Sequence, residues 1–544
     1  NRMTEHTLAR IALAWLVLAA CAFVALRAPL VSLPLQRDEG EYAYIAWRME
    51  QGDVPYRDAF NQKPPATFVA YRLAFALFGR SPEAIRIFLH LWSAVTALAL
   101  YGLVRGLAGA LAAAGAVLVF CALGADPRLG GVAANTEAFL LLPCVLALWL
   151  CLRRGELGTR SSGAGGWAGA GAASAVAVAF KQVALTNAAF VAVLACLLPD
   201  AYGRRRIPLR IAALAAGALA VAVPVVGAFA AVGAFDEFAD AVWWHNLEYV
   251  GRRSWAEGFD NLRYALGEQA PSLSPAWVLA AGGLLWPIAA GGRERAILAG
   301  WLAASLLGLA VGLQFRPHYF LQALPALAAA AGVGLAAAVR GAGAAGGRAA
   351  AWVGAVLAVA VVGAPMVANR AVLAAETPEA AARELWGLNP FPEAVAIARH
   401  IARTSAPGEA VFVVGSEPEI LFYAERPSAT RYIFFYPLTG GYPEALERQR
   451  EALAEVTRAR PRYVVWVHIS TSLLISERTD RWIFEETDRM LARDYAMEFV
   501  AHADERGEGY VFSHGHAALR WLDAERGRLA ELPWVAVYRR EAAP

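Results

Sequence analysis

Two acids, Asp38 and Glu39, and a Lys-Pro-Pro triplet, Lys63-Pro64-Pro65, share one polar stretch, "RDEGEYAYIAWRMEQGDVPYRDAFNQKPPATF" (37–68). It follows a long apolar run. A carboxylate at a membrane surface can act as general base towards a hydroxyl, and a lysine there can hold a phosphate headgroup. The two prolines bias Lys63 away from helix and stiffen its segment. Each feature also has a plainer structural role. Asp38 can cap a helix with Glu41 closing a capping box, and Lys63 can snorkel to water from the interface.

The elements that must position these groups are helical. Tyr42, Ile45, Ala46 and Met49 fall at i, i+3, i+4 and i+7, which predicts a short helix along the outer membrane surface. Trp47 and Tyr44 suit the headgroup region, and Gly52 suits a C-cap. Glu137 opens an apolar run in "NTEAF", where it is either part of a helix start or a second acid contacting acceptor, sugar or a divalent ion. "WWHNLEY" (243–249) mixes aromatics with His245, Asn246 and Glu248. That mixture suits a sugar-stacking or lid segment, and equally an interfacial aromatic belt.

The 544 residues are 58% hydrophobic and 17% charged, too little charge for an ordinary soluble chain. Charge is sparse before about Glu376 and dense after it, so a membrane part precedes a water-soluble part. A net charge of +3 gives no case for nucleic acid. Cys21, Cys121, Cys144, Cys151 and Cys196 lie in or beside apolar runs; they suggest neither a disulfide framework nor a zinc site.

Apolar stretches near 11–34, 84–104, 107–124, 135–152, 166–181, 183–199, 211–233, 276–291, 296–314, 319–339 and 350–368 predict about eleven transmembrane helices. The clusters Arg105, Arg153/Arg154/Arg160, Arg204/Arg205/Arg206/Arg210, Arg293/Arg295 and Arg340/Arg348 fall in alternate connections, marking the cytoplasmic side. The segments 35–83, 234–275 and the tail then face outward, and the Gly- and Ala-rich connections 155–166 and 341–349 read as linkers. The division is 1–370 for the membrane part and 371–544 for an extracytoplasmic α/β domain. In that domain 410–416, 431–436, 462–468 and 534–540 read as strands, and 392–403, 441–459 and 481–495 as amphipathic helices.

These residues resemble the GT-C glycosyltransferases, in particular the group with protein O-mannosyltransferases and lipid A aminoarabinose transferases. Asp38-Glu39 after the first span, Tyr42 and Lys63-Pro64-Pro65 look like that group's first-loop pattern. "FKQ" (180–182) looks like its lysine at an outer helix end, and "FRPHYFLQALPALA" (315–328) like its late motif. The tail does not look like the β-trefoil of the eukaryotic members. The resemblance implies an inverting transfer of a sugar from a polyprenyl phosphate, such as undecaprenyl or dolichyl phosphate, to a lipid, glycan or protein acceptor. It implies Asp38 as base, with Glu39 as the other acid of the pair. Lys63, Lys181, Arg316 and His318 become phosphate-binding candidates, and Tyr42, Glu137 and Tyr319 donor or acceptor contacts. No cofactor is required on this reading, although a divalent ion could sit near Asp38 and Glu137. The expected location is the plasma (inner) membrane.

Two rivals stand beside it. A polyprenyl-linked glycan ligase or polymerase would use a pyrophosphate donor. A lipid or sugar transporter would place ionisable groups at mid-span, where this sequence shows none.

Overall fold

The computed structural model describes residues 5–153, 162–198, 206–287 and 289–541. Arg154, Arg160, Arg204, Arg205 and the linker residues 155–161 lie outside the described residues.

The membrane part runs α1 (Glu5–Arg27), α2 (Arg37–Glu50), α3 (Ala66–Phe78), α4 (Pro82–Ala108), α5 (Ala110–Leu123), α6 (Thr136–Leu152), α7 (Ala164–Phe180), α8 (Leu185–Leu197) and α9 (Ile207–Ala231). Then come α10 (Phe235–Ala239), a π-turn (Asp240–Trp244), α11 (His245–Val250), α12 (Trp255–Leu285), α13 (Gly292–Ala310), α14 (Leu324–Ala342) and α15 (Gly347–Ala368). Each segment expected to span falls on a helix. Among the described residues, five stretches are long and apolar enough to cross a membrane: Glu5–Leu30, Pro82–Ala108, Ile207–Ala231, Pro317–Ala345 and Gly347–Ala368.

Helix α14 is the hub, wholly enclosed by its neighbours. Its Gly332 backs onto Ala112 and Ala116 of α5, where a Cβ would strike the α5 backbone. Small residues let helices approach closely, which matters in lipid because apolar surface alone drives little association there. Helix α9 has the opposite character. Leu209, Leu219 and Val223 are exposed, as expected of a face turned to lipid.

The short helix expected around Tyr42–Met49 is present as α2, and both outer segments hold further helix beyond it. The stretch 35–83 contains α2 and α3, and α12 takes up 255–275 as well as the expected span. Helix α2 does not lie open on a membrane surface. Tyr44 and Trp47 are buried, and the Tyr44 hydroxyl accepts from the amide of Ser428 at 2.8 Å.

The C-terminal part comprises α16 (Arg370–Leu373), α17 (Pro378–Trp386), α18 (Phe391–Thr404), β1 (Val411–Val414), α19 (Glu419–Ala424), α20 (Tyr436–Thr439), α21 (Ala445–Ala459) and β2 (Tyr463–His468). It continues with α22 (Ser470–Leu473), α23 (Trp482–Asp494), β3 (Tyr495–Ala503), β4 (Tyr510–His514), α24 (His516–Ala524) and β5 (Trp534–Arg540). The sheet order is β1-β2-β5-β3-β4. β1 and β2 are parallel; the other pairs are antiparallel. The expected strand 431–436 is not one. Its amides bond to side chains instead of a neighbouring strand: Arg431 to Glu455, Tyr432 to Thr430 and Phe435 to Ser416. A short apolar run carries no periodicity that separates strand from buried loop.

Candidate active site

Local sequence fixes α2 first. Its N-cap is Gln36, not Asp38. The Gln36 Oε1 accepts from the Asp38 amide at 3.1 Å, and Glu39 returns a bond from the Gln36 amide at 3.3 Å. The expected Asp38–Glu41 capping box is therefore absent. Asp38 is left half-buried on the wall of a cavity of about 1160 Å³, with no hydrogen-bond partner for its carboxylate among the described residues. Glu41, one turn on, lines the same wall. Burial first, then the Asp38 charge, pushes its proton affinity well above the usual carboxylate range, against the pull of Lys63.

Glu39 faces the other way. It is fully buried and accepts from Arg86 at 2.8 Å and from the Ala134 amide at 3.0 Å. Arg86 also donates to the carbonyls of Val31, Leu33 and Pro34. Glu39 is thus an anchor tying α2 to α4 and the start of α6, and is not positioned as a catalytic acid. Tyr42 is likewise outside the cavity, 1% exposed and packed on Phe68 and Tyr71.

Lys63 reaches the cavity from a pinned backbone. Its amide donates to Asn61 Oδ1 at 2.7 Å, and its carbonyl accepts from the Tyr56 hydroxyl at 2.8 Å. Arg316, His318 and Tyr319 approach from the opposite side, on the turn before α14. Leu313 and Phe315 precede them with φ of 54° and 44°. Such left-handed backbone costs energy for non-glycine residues and is concentrated at functional sites. Lys63 and Arg316, like Arg252 and Arg478 on the same lining, have no salt-bridge partner among the described residues.

Lys181 does not join them. It is buried, ion-paired to Glu137, and lies 3.6 Å from the Tyr319 ring centroid. His318 Nε2 is 3.8 Å from the same Glu137 oxygen. Glu137 is thus the hub of a buried cluster beneath the cavity. Lys181 and His318 are the basic partners beside Glu137. Among the described residues no three metal-ligating side chains converge.

The C-terminal part forms the roof. Arg37 pairs with Glu417 at 2.6 Å and donates to the Ser416 carbonyl at 2.8 Å. The Phe60 amide donates to the Arg431 carbonyl at 2.8 Å. A Cβ on Gly40 would come 2.6 Å from the Glu419 Cβ, so glycine permits α19 to seat on α2. Phe434, Tyr436, Tyr442 and Arg478 consequently line the cavity. Sequence reasoning missed these, as well as Arg37, Tyr249 and Arg252. Arg86, a lone cation early in an apolar helix, carried a readable signal.

The arrangement offers, on the lining of one roofed cavity, a carboxylate and several cations that have no ion-pair partner among the described residues. Residues 62–227 match the dolichyl-phosphate-mannose-protein mannosyltransferase family. That segment takes in Lys63, Glu137 and Lys181 and starts after Asp38. The chain resembles the GT-C glycosyltransferases, as the Asp-Glu and Lys-Pro-Pro residues implied, and it is folded like them. The structure of ArnT from Cupriavidus metallidurans bound to undecaprenyl phosphate is similar at a TM-score of 0.58 and 19% identity, over 91% of this chain and 97% of that one. The archaeal oligosaccharyltransferase AglB from Archaeoglobus fulgidus, in complex with an inhibitory peptide and a dolichol-phosphate, is similar at a TM-score of 0.52 and 13% identity, over 93% and 74%. No curated protein matches the chain in sequence.

Proposed function

We propose that this protein is an integral-membrane glycosyltransferase that moves a sugar from a polyprenyl phosphate to an acceptor hydroxyl, with inversion, at the extracytoplasmic face. The observation that carries the reading is the single cavity in which Asp38 faces Lys63, Arg316 and His318. The acceptor oxygen attacks the anomeric carbon while the bond to the lipid phosphate breaks. Asp38 takes the hydroxyl proton. The departing phosphate gains charge, and Lys63 and Arg316 stabilise it in place. Two solved structures of similar fold hold undecaprenyl phosphate and a dolichol-phosphate, which supports a lipid-phosphate donor. The alternating arginine clusters support the orientation.

Mass spectrometry of polyprenyl-phosphate sugars and surface glycans, with and without the gene, tests the activity. A sugar missing from the glycans while its lipid-linked form accumulates is the expected result. Unchanged pools of both would overturn the reading. Reporter fusions at the C-terminus should be active outside the cytoplasm.

A further inference from the structure

His245 stands where the membrane helices, the Lys63 segment and the C-terminal part meet. It is 2% exposed, yet it lines the cavity. It follows the π-turn Asp240–Trp244, an irregularity frequent at functional sites. The turn is tied to the residue before Lys63, because Asn246 Nδ2 donates to the Gln62 carbonyl at 2.7 Å. The imidazole lies edge-on to Phe60 with centroids 5.3 Å apart, and 4.3 Å from the Tyr442 ring.

Its protonation follows from one contact. Arg448 Nη1 is 2.9 Å from His245 Nδ1. A guanidinium can only donate, so Nδ1 accepts, the ring is neutral, and its proton sits on Nε2. Nε2 has no protein partner among the described residues. Arg448 is itself held, 3.7 Å from Asp240 and with its guanidinium 5.4 Å from the Phe60 centroid. The surrounding charges act in the same sense. Burial, then Arg448, Arg252 and Lys63, push the imidazole down to about 3. A ring locked this way has no free lone pair on Nε2, so it is a donor and not a metal ligand.

We infer that His245 is a further ligand-binding residue, a neutral Nε2–H donor to a phosphoryl oxygen of the lipid phosphate that Lys63 binds, and that Arg448 is the positioning residue that fixes its tautomer. The inference rests on the phosphate reading of Lys63. Positive charge at this wall is already supplied by Lys63 and Arg252, and a third full charge would repel them. A neutral donor adds a hydrogen bond to the anion without that repulsion. The C-terminal part thereby acts on donor binding through one arginine.

The test is ring ¹⁵N NMR of the full-length protein in lipid nanodiscs, with undecaprenyl phosphate as the probe and His245→Gln to assign the signal. His245 should be neutral with its proton on Nε2 at pH 6, and the Nε2 signal should move when the probe is added. Arg448→Met should release the tautomer, giving a ring that is still neutral but carries its proton on either nitrogen, and Arg448→Lys, which also only donates, should restore the lock. His245→Phe should weaken undecaprenyl phosphate binding about 5- to 30-fold, and His245→Gln, which keeps an N–H, should lie within about 3-fold of wild type. A charged ring at pH 6, or a proton on Nδ1, overturns the inference. So does wild-type affinity in His245→Phe while Lys63→Ala is weakened; that result leaves the proposed function standing. Wild-type affinity in Lys63→Ala as well would instead remove the phosphate reading itself.

Discussion

Glu39 and Arg86 form an ion pair at 2.8 Å with both side chains essentially removed from solvent, while Asp38, the adjacent residue, has no partner for its carboxylate among the described residues. The two acids that look alike in sequence are therefore separated by one residue of helix rotation into a buried anchor and a carboxylate on the cavity wall. Burying two charges is costly, and the pair gains only if every remaining valence is met. Here Arg86 Nη1 and Nη2 also serve three loop carbonyls while its buried Nε finds no partner among the described residues, so the pair's main effect is to fix how the chain leaves the first span.

Substitution separates the two roles. Glu39→Gln leaves Arg86 buried without its counter-ion and should cost about 3–5 kcal/mol of stability, read as a lower unfolding temperature in detergent. Asp38→Asn should leave that temperature nearly unchanged, because the cap is Gln36, while lowering turnover by about 10²- to 10⁴-fold. A folded but inactive Glu39→Gln beside an active Asp38→Asn would exchange the assignments.

Lys181 offers a second separation, between holding the fold and holding a phosphate. Removing it strands Glu137 in a buried site, so Lys181→Met should destabilise by about 3–5 kcal/mol. The double variant with Glu137→Gln should recover most of that loss. Undecaprenyl phosphate affinity in the double variant should equal wild type. A residual deficit of about 1–3 kcal/mol in binding, with stability restored, would return Lys181 to the phosphate site.

What the sequence made legible follows from the range of each interaction. Asp38, Lys63, Arg316 and His318, which line one cavity, could be singled out because each sits in a short polar motif beside an apolar run, and motif and position are local. Glu39, Tyr42 and Lys181 were expected in the site and lie outside it. Which face of a helix a residue takes depends on what packs there, and Arg86, Phe68 and Glu137 are brought up by the fold. The helices of the expected spans were legible from apolar runs, whereas α3 and the first half of α12 were not, nor was "RYIFFY", since its amides find side chains far along the chain. The roof is the extreme case. Arg37 and Glu417 are 380 residues apart, and nothing local in either segment announces the other.

The last prediction concerns the seat of that roof. Both carboxyl oxygens of Glu419 are buried without a hydrogen-bond partner among the described residues, against Gly40 of α2. Burial, then the Glu417 charge, raises its proton affinity well above the ordinary value of 4.5, with Arg37 pulling weakly the other way. The unfolded chain gives up this proton near the ordinary value and the folded chain keeps it. Above that value the folded state therefore binds more protons than the unfolded state, and stability falls as pH rises. The slope is at most about 1.4 kcal/mol per pH unit from one group. Glu419→Gln keeps the neutral shape and removes that slope. Its stability relative to wild type should rise steadily from about pH 5 to pH 8, measured as the difference between the two unfolding temperatures at each pH. A difference that moves the opposite way would mean that Glu419 is ionised and paired in the folded chain, and that α19 seats on α2 through a charge rather than through a neutral carboxyl.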